Sequence, residues 1–273
     1  MENTELPLGD RMKVYEKDFE TRIDAKKYIV CRLDGHKFSK YTKGFVKPFD
    51  SALSEAMQYA TAQLVERFGA VTGYTQSDEI TLVFAPQYKE KDGKIENNQV
   101  LGGRVQKMSS LFASFASTSF NQSMTNWFIF SDDAERASRT NLSDKIGTAY
   151  FDCRVYGVDT ASEAFNSVMW RVRDCVKNST SMFAFAYCGH KSLLNKNGQE
   201  QIDFCLETTG KDWHEIEDIY KYGILFKKTK YMKEVSDKAF VVRTKITNWA
   251  EKLTTYSPEA VDLITRKYKT EMD

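Results

Sequence analysis

Two β-forming runs in this chain each end on acid. Lys27 to Leu33 is rich in branched and aromatic residues and runs into Asp34-Gly35, which predicts a buried strand entering a turn. Ala70 to Thr75 and Ile80 to Phe84 flank Gln76-Ser77-Asp78-Glu79, which predicts a β-hairpin with an acidic tip. If these strands pair in one sheet, the Asp34 and Asp78 carboxylates emerge together at one end. Magnesium demands oxygen ligands, and a few carboxylates plus phosphate oxygens complete its octahedron. Two such ions roughly 3.5–4 Å apart activate an attacking oxygen and stabilise a leaving phosphate. Gly35 suits such a site because a residue without Cβ lets its carbonyl approach an ion closely. Each element alone reads more readily as ordinary turn chemistry, an Asp-Gly turn and a solvated hairpin tip, and only the two together bring the metal reading level with it.

The surrounding pattern is α+β. Pro48 and Asp50 open a helix whose apolar positions Leu53, Met57, Ala60 and Leu64 recur at four, three and four, and Gly69 closes it. Residues 86–103 are polar and glycine-containing, which predicts an exposed loop. A long helix follows with Val105, Met108, Phe112, Phe115 and Ser119 on its inner face, then a strand at Ala149 to Tyr156 and a helix from Glu163 to about Lys177. Beyond Gly189 the pattern weakens, with strands expected near Ile224 to Phe226 and Phe240 to Val242. This order predicts an α+β domain with a smaller C-terminal addition.

Composition excludes more than it assigns. Lys and Arg (39) nearly cancel Asp and Glu (38), so global charge announces no nucleic-acid binder, although a local basic face would suffice. Five scattered cysteines offer no C-x-x-C pair and are expected as reduced thiols of a cytoplasmic protein. The N-terminus does not read as a signal peptide, and no apolar run approaches the roughly 18–20 residues that span a membrane. His36, His190 and His214 form no metal pattern.

Ordered motifs carry a family resemblance over about residues 8–230. Leu8-Gly-Asp-Arg-Met-Lys-Val-Tyr-Glu16, Arg32-Leu-Asp-Gly-His-Lys-Phe38, Phe45-Val-Lys-Pro48 and Tyr74-Thr-Gln-Ser-Asp-Glu79 resemble the tRNA-His guanylyltransferase superfamily. So do Phe151-Asp-Cys-Arg154, and Trp170-Arg171 followed by Asp174-Cys175. The resemblance implies a palm-type catalytic domain over residues 1–140, with a mainly antiparallel sheet flanked by helices. Residues 141–273 would complete the fold and contribute RNA or subunit contacts. It implies two magnesium ions, GTP and ATP as substrates, a tRNA partner and a homotetramer. By motif, Asp34, Asp78 and Glu79 are the catalytic carboxylates, with Asp34, Gly35 and Asp78 on the metal. Asp34, Gly35, His36, Lys37, Phe38 and Ser39, with Lys47, Ser77 and Asp78, form the nucleotide-binding set. Arg104, Lys107 and Asn178 match positions for a second triphosphate or the RNA 5′ end. Phe38 and Phe45 read equally as core.

One departure narrows the resemblance. Guanylyltransferases proper follow the Asp-Cys pair with a His-Ile-Asn-Asn signature, whereas this chain has Val176-Lys177-Asn178-Ser179. That is similar to the Thg1-like branch, whose members favour template-directed 5′ repair. Two other functions remain open on sequence: a palm-domain nucleotidyl cyclase, revealed by a cyclic product from GTP without RNA, and a non-catalytic RNA-binding module, revealed by magnesium-independent binding without incorporation.

Overall fold

A computed structural model describes residues 6–139, 141–236 and 239–270. Nine strands, β1 (Tyr28–Gly35), β2 (Thr72–Gln76), β3 (Glu79–Phe84), β4 (Tyr88–Lys91), β5 (Lys94–Asn97), β6 (Phe151–Val158), β7 (Ile224–Ser236), β8 (Ala239–Trp249) and β9 (Lys269–Thr270), lie among the described residues. The helices there are α1 (Leu8–Asp18), α2 (Phe38–Tyr41), α3 (Ser51–Phe68), α4 (Val105–Phe130), α5 (Asp133–Ala137), α6 (Ala161–Cys188), α7 (Gly198–Thr209), α8 (Asp218–Tyr222) and α9 (Pro258–Thr265). The main sheet runs β6-β1-β3-β2-β7-β8, with β9 beside β7, and every pairing except β7–β9 is antiparallel. An antiparallel sheet flanked by helices is the architecture that the family resemblance implies.

Helices cover both faces, which is why β1 reads as a nearly unbroken apolar run. Ile29, Cys31 and Leu33 pack with α3 and α4 on one side. Tyr74, Val83 and Leu225 meet α6 and α9 on the other. A third cluster, Phe183, Ile202, Cys205 and Trp213, binds the far half of α6 to α7. The boundaries of α3 follow local chemistry. Asp50 accepts the Leu53 N–H at 3.0 Å as N-cap, and Gly69 stops the helix at φ 73° in the left-handed region.

The structure corrects several expectations. Residues 86–103 contain the β4–β5 hairpin, closed by Asp92 and Gly93, both at positive φ as a type I′ turn requires. Helix α6 continues to Cys188, well past Lys177. The C-terminal strands are far longer than expected, and β7 joins the main sheet by pairing with β2. Because β6 also pairs with β1, strands from both sides of residue 140 build one sheet.

Candidate active site

Register brings the acids together. In β1 and β3, Asp34 lies opposite Glu79, and in β1 and β6 it lies opposite Asp152, so all three occupy one row across three strands. The two-residue turn Ser77-Asp78 joins β2 to β3 at the same end, with Ser77 at φ 50°. The Gly35 N–H donates to the Asp78 carbonyl at 3.0 Å and ties the two acidic elements directly. A Cβ on Gly35 would sit 2.3 Å from the Phe38 ring, so only glycine fits this turn.

The electrostatics match a site short of positive charge. Burial pushes the half-buried Asp78 carboxyl up to about 6, and the nearby Asp34 and Glu79 charges push the same way. The Asp78 backbone N–H and the Ser77 hydroxyl partly oppose that rise. Among the described residues, the cation paired with Asp34 is the distant guanidinium of Arg154, 3.9 Å away and itself 3.7 Å from Asp152. Two carboxylates and a nearby glycine carbonyl are the donors magnesium takes when substrate phosphates and water supply the rest. Among the described residues, no group of three or more His, Cys, Asp or Glu side chains converges as a closed metal cage.

Glu79 is held differently from its neighbours. Its carboxylate pairs with buried Arg171, accepts the Gln76 amide at 2.8 Å and lies 3.9 Å from Arg32. Arg171 also grips Asp174 at 2.7 Å. Glu79, expected as a third catalytic carboxylate, is therefore engaged by cations rather than open to an ion. The Trp170 ring is flanked by Arg171 and Arg32, at 4.6 and 5.4 Å.

A cavity of about 370 Å³ opens beside the turn. Phe38, Ser39, Lys47, Ser77, Asp78 and Asn178, all expected at the site, line it. On α6, Arg171, Cys175, Asn178 and Met182 recur at four, three and four, and the last three reach the cavity from one helix face. Leu53, Met57, Ile219 and Ile224 supply apolar wall, with Phe49 stacked on Tyr220 at 4.6 Å. Sequence reasoning missed this wall and Asp152, because strand register and the approach of α8 (Asp218–Tyr222) have no local signature.

Phe38 and Phe45 border the cavity from the core, and Phe38 packs on Tyr41, Phe120 and Phe151. Other expected residues fall elsewhere. Exposed His36 stacks on Tyr150 at 4.8 Å, and Lys37 takes the left-handed position before α2, so neither lines the cavity. Arg104 and Lys107 belong to the opposite end of the sheet. There the Val105 N–H donates to Thr21, whereas Asn121, about 24 Å further along the helix, holds Ala149 near the acids. The shared helix face was legible, but its direction over the sheet was not.

The family model for tRNA-His guanylyltransferase matches residues 9–159. An uncharacterised protein of Acanthamoeba polyphaga mimivirus is 35% identical over 228 residues, covering 81% of this chain and 77% of that one. A bacterial Thg1-like protein solved in complex with ATP superposes with a TM-score of 0.69 at 30% identity, covering 88% of this chain and 91% of that chain. A Thg1-like complex with GTP gives 0.63 at 29% identity, covering 88% and 90%. By residues 9–159 and by these likenesses, the chain belongs to the tRNA-His guanylyltransferase family of nucleotidyltransferases.

Proposed function

We propose that this chain is a magnesium-dependent nucleotidyltransferase that extends the 5′ end of tRNA in the 3′-to-5′ direction, replacing missing nucleotides against a template. The observation that carries the proposal is the meeting of Asp34, Gly35 and Asp78 beside a cavity with one apolar and one polar side. The ATP and GTP in the Thg1-like complexes support a nucleoside triphosphate as its occupant.

Chemistry proceeds in two displacements. A 5′-monophosphate oxygen of the RNA attacks the α-phosphorus of ATP or GTP, and pyrophosphate leaves. The 3′-hydroxyl of the incoming nucleotide then attacks the activated 5′ phosphorus, and the nucleoside monophosphate leaves. An RNA that already carries a 5′-triphosphate enters at the second step and releases pyrophosphate. Asp34, Asp78 and the Gly35 carbonyl would hold magnesium, which when bound neutralises phosphate charge and polarises the reacting oxygens. The chain's own groups do the positioning. The apolar wall of Leu53 and Met57 takes the base, and the Lys47 ammonium faces the triphosphate as a point charge. Within the Asp34 to Ser39 turn the Gly35 and His36 amides are already taken by the Asp78 and Tyr150 carbonyls, so the amides of Lys37, Phe38 and Ser39 are the ones that cradle phosphate oxygens. Ser77 orients the Asp78 carboxylate, and Arg171 holds Glu79 so that β3 keeps its register beside Asp34. Asn178 serves the second triphosphate or the RNA 5′ end. Arg104 and Lys107 would reach that position from a neighbouring subunit of the homotetramer that the family resemblance implies. The reduced cysteines fit a cytoplasmic enzyme.

The test is incorporation of labelled nucleotides into 5′-truncated and full-length tRNAs by purified protein. Asp34→Ala and Asp78→Ala should each lower incorporation by roughly 10³-fold or more while leaving the urea midpoint near or above that of the parent. Retained activity in either variant would remove the metal assignment. Strict single-G addition to full-length tRNA-His, with no templated filling of truncated tRNAs, would refute 5′ repair.

A further inference from the structure

Charge in this chain is sharply segregated. Residues 228–233, 241–249 and 266–269 hold eight Lys or Arg and no Asp or Glu, in a protein whose net charge is only +1. The fold gathers these segments. Strands β7 and β8 pair from Leu225–Trp249 outward, and Thr229 pairs with Lys269 of β9. Only Ile224 to Phe226 of β7 pair with β2; Lys227 and Thr229 are still buried, Lys227 donating to the Val71 carbonyl, and the ribbon becomes exposed from Lys230 onward. Glu234 is the one acid on the projecting part of β7 before Ser236.

Aromatic rings prop the cations. Lys230 and Lys267 lie over Tyr268 at 4.5 and 5.4 Å, Lys269 over Trp249 at 4.3 Å, and Lys245 over Tyr231 at 5.0 Å. No ion pair involves Lys230, Lys233 or Arg243 among the described residues, and all three are exposed. At the ribbon's root a second cavity, of about 290 Å³, is lined by Lys228, Lys267, Tyr268, Gln87 and Asn98. Its cations, ring and amides are groups that suit phosphate and sugar.

We propose that the β7–β8 ribbon, with Lys267 and Lys269 at its root, is a docking surface for the phosphate backbone of double-helical RNA. The proposal rests on the nucleotidyltransferase reading, and charge complementarity identifies the occupant. Surfaces that neutralise phosphates release condensed counterions, which supplies affinity without reading sequence. Geometry gives the ribbon a defined reach. Ile224 lies opposite Thr75, two residues from Ser77, and Lys233 lies nine residues further along, about 30 Å at strand rise. That spacing corresponds to roughly eleven base pairs of an A-form RNA helix, at about 2.8 Å per pair, so the ribbon grips the stem well away from its reacting end.

The test is anisotropy binding of two 5′-phosphorylated RNA hairpins, one with a stem of about five base pairs and one with a stem of about twelve, to the full chain across a salt series. The triple variant Lys230→Glu, Lys233→Glu and Arg243→Glu should bind the long stem about ten- to a hundred-fold more weakly, with a shallower salt slope. Its affinity for the short stem should match the parent. The corresponding triple glutamine variant should lose less in the same order, and urea midpoints confirm folding of both. An unchanged long-stem affinity and salt slope would overturn the proposal. So would loss of binding accompanied by a change in sedimenting mass, because the ribbon would then be holding a second copy. Binding is read without catalysis. A parent chain that grips the long stem but incorporates no nucleotide would sink the proposed activity and leave the ribbon assignment standing.

Discussion

Arg171 and Glu79 offer the sharpest test of how the site is held. Their side chains are 7% and 13% exposed, and they join α6 to the strand that follows Asp78. Removing one partner of such a buried pair leaves the other charged and poorly solvated, which costs about 3–5 kcal/mol. Glu79 keeps the Gln76 amide and a distant Arg32, and Asp174 is partly open to water, so the lower end of that range applies. Arg171→Met should therefore lower unfolding free energy by about 3 kcal/mol in urea titrations at neutral pH. Adding Glu79→Gln should recover most of the loss, because the stranded charge and not the missing contact is the main cost. A double-mutant cycle gives the coupling directly. A loss below about 1 kcal/mol for Arg171→Met, or a double variant worse than the sum of its parts, would refute a buried, charge-compensated anchor.

Other outcomes follow from the same physics. In magnesium-free buffer, Asp78 titrates near 6 against an ordinary value of 3.8, so the folded chain binds more protons than the unfolded chain between those pH values. Stability from this group is thus greatest below about pH 4 and falls as pH rises to 6; Asp78→Asn should flatten that segment of a urea-midpoint-against-pH curve, and an unchanged slope would count against it. Gly35→Ala, which drives a methyl into the Phe38 ring, should destabilise the chain by about 1–3 kcal/mol and lower incorporation, measured by urea titration and labelled-nucleotide assay. Asp50→Ala strands Arg139, whose guanidinium it holds at 2.8 and 3.2 Å, and should cost about 3–5 kcal/mol in the same titration.

How much of this was legible depended on whether a residue's neighbours in space are also its neighbours in sequence. Strand β1, the acidic hairpin and helix α3 were readable because apolar spacing, the Asp50 cap and Gly69 are local signals. The β4–β5 hairpin was overlooked although Asp92-Gly93 is a hairpin dipeptide, because its strands are short, charged and exposed on every position. The extent of β7 and β8 was hidden for the opposite reason. The inward positions just beyond Phe226 are Lys227 and Thr229 and the ribbon is exposed from Lys230, so no alternation of apolar residues marks it. At the site, motif identified Asp34, Gly35, Asp78, Lys47 and Asn178 as companions. It did not disclose that Glu79 is claimed by an arginine 92 positions away, or that Arg104 and Lys107 start a helix at the far end of the sheet.

Asp50 is the feature with the widest reach. One carboxylate caps α3, accepts the Val46 N–H at 3.0 Å and clasps an arginine that itself lies 4.2 Å from the Trp127 ring. The segment carrying Lys47 is thus clamped at Val46, just before that residue, and at Asp50, three residues after it. Its shape is settled when the chain folds and not when a nucleotide arrives. A nucleotide seated against this wall, as proposed, would meet a surface already ordered, so its binding would carry little entropic penalty for shaping residues 46–50.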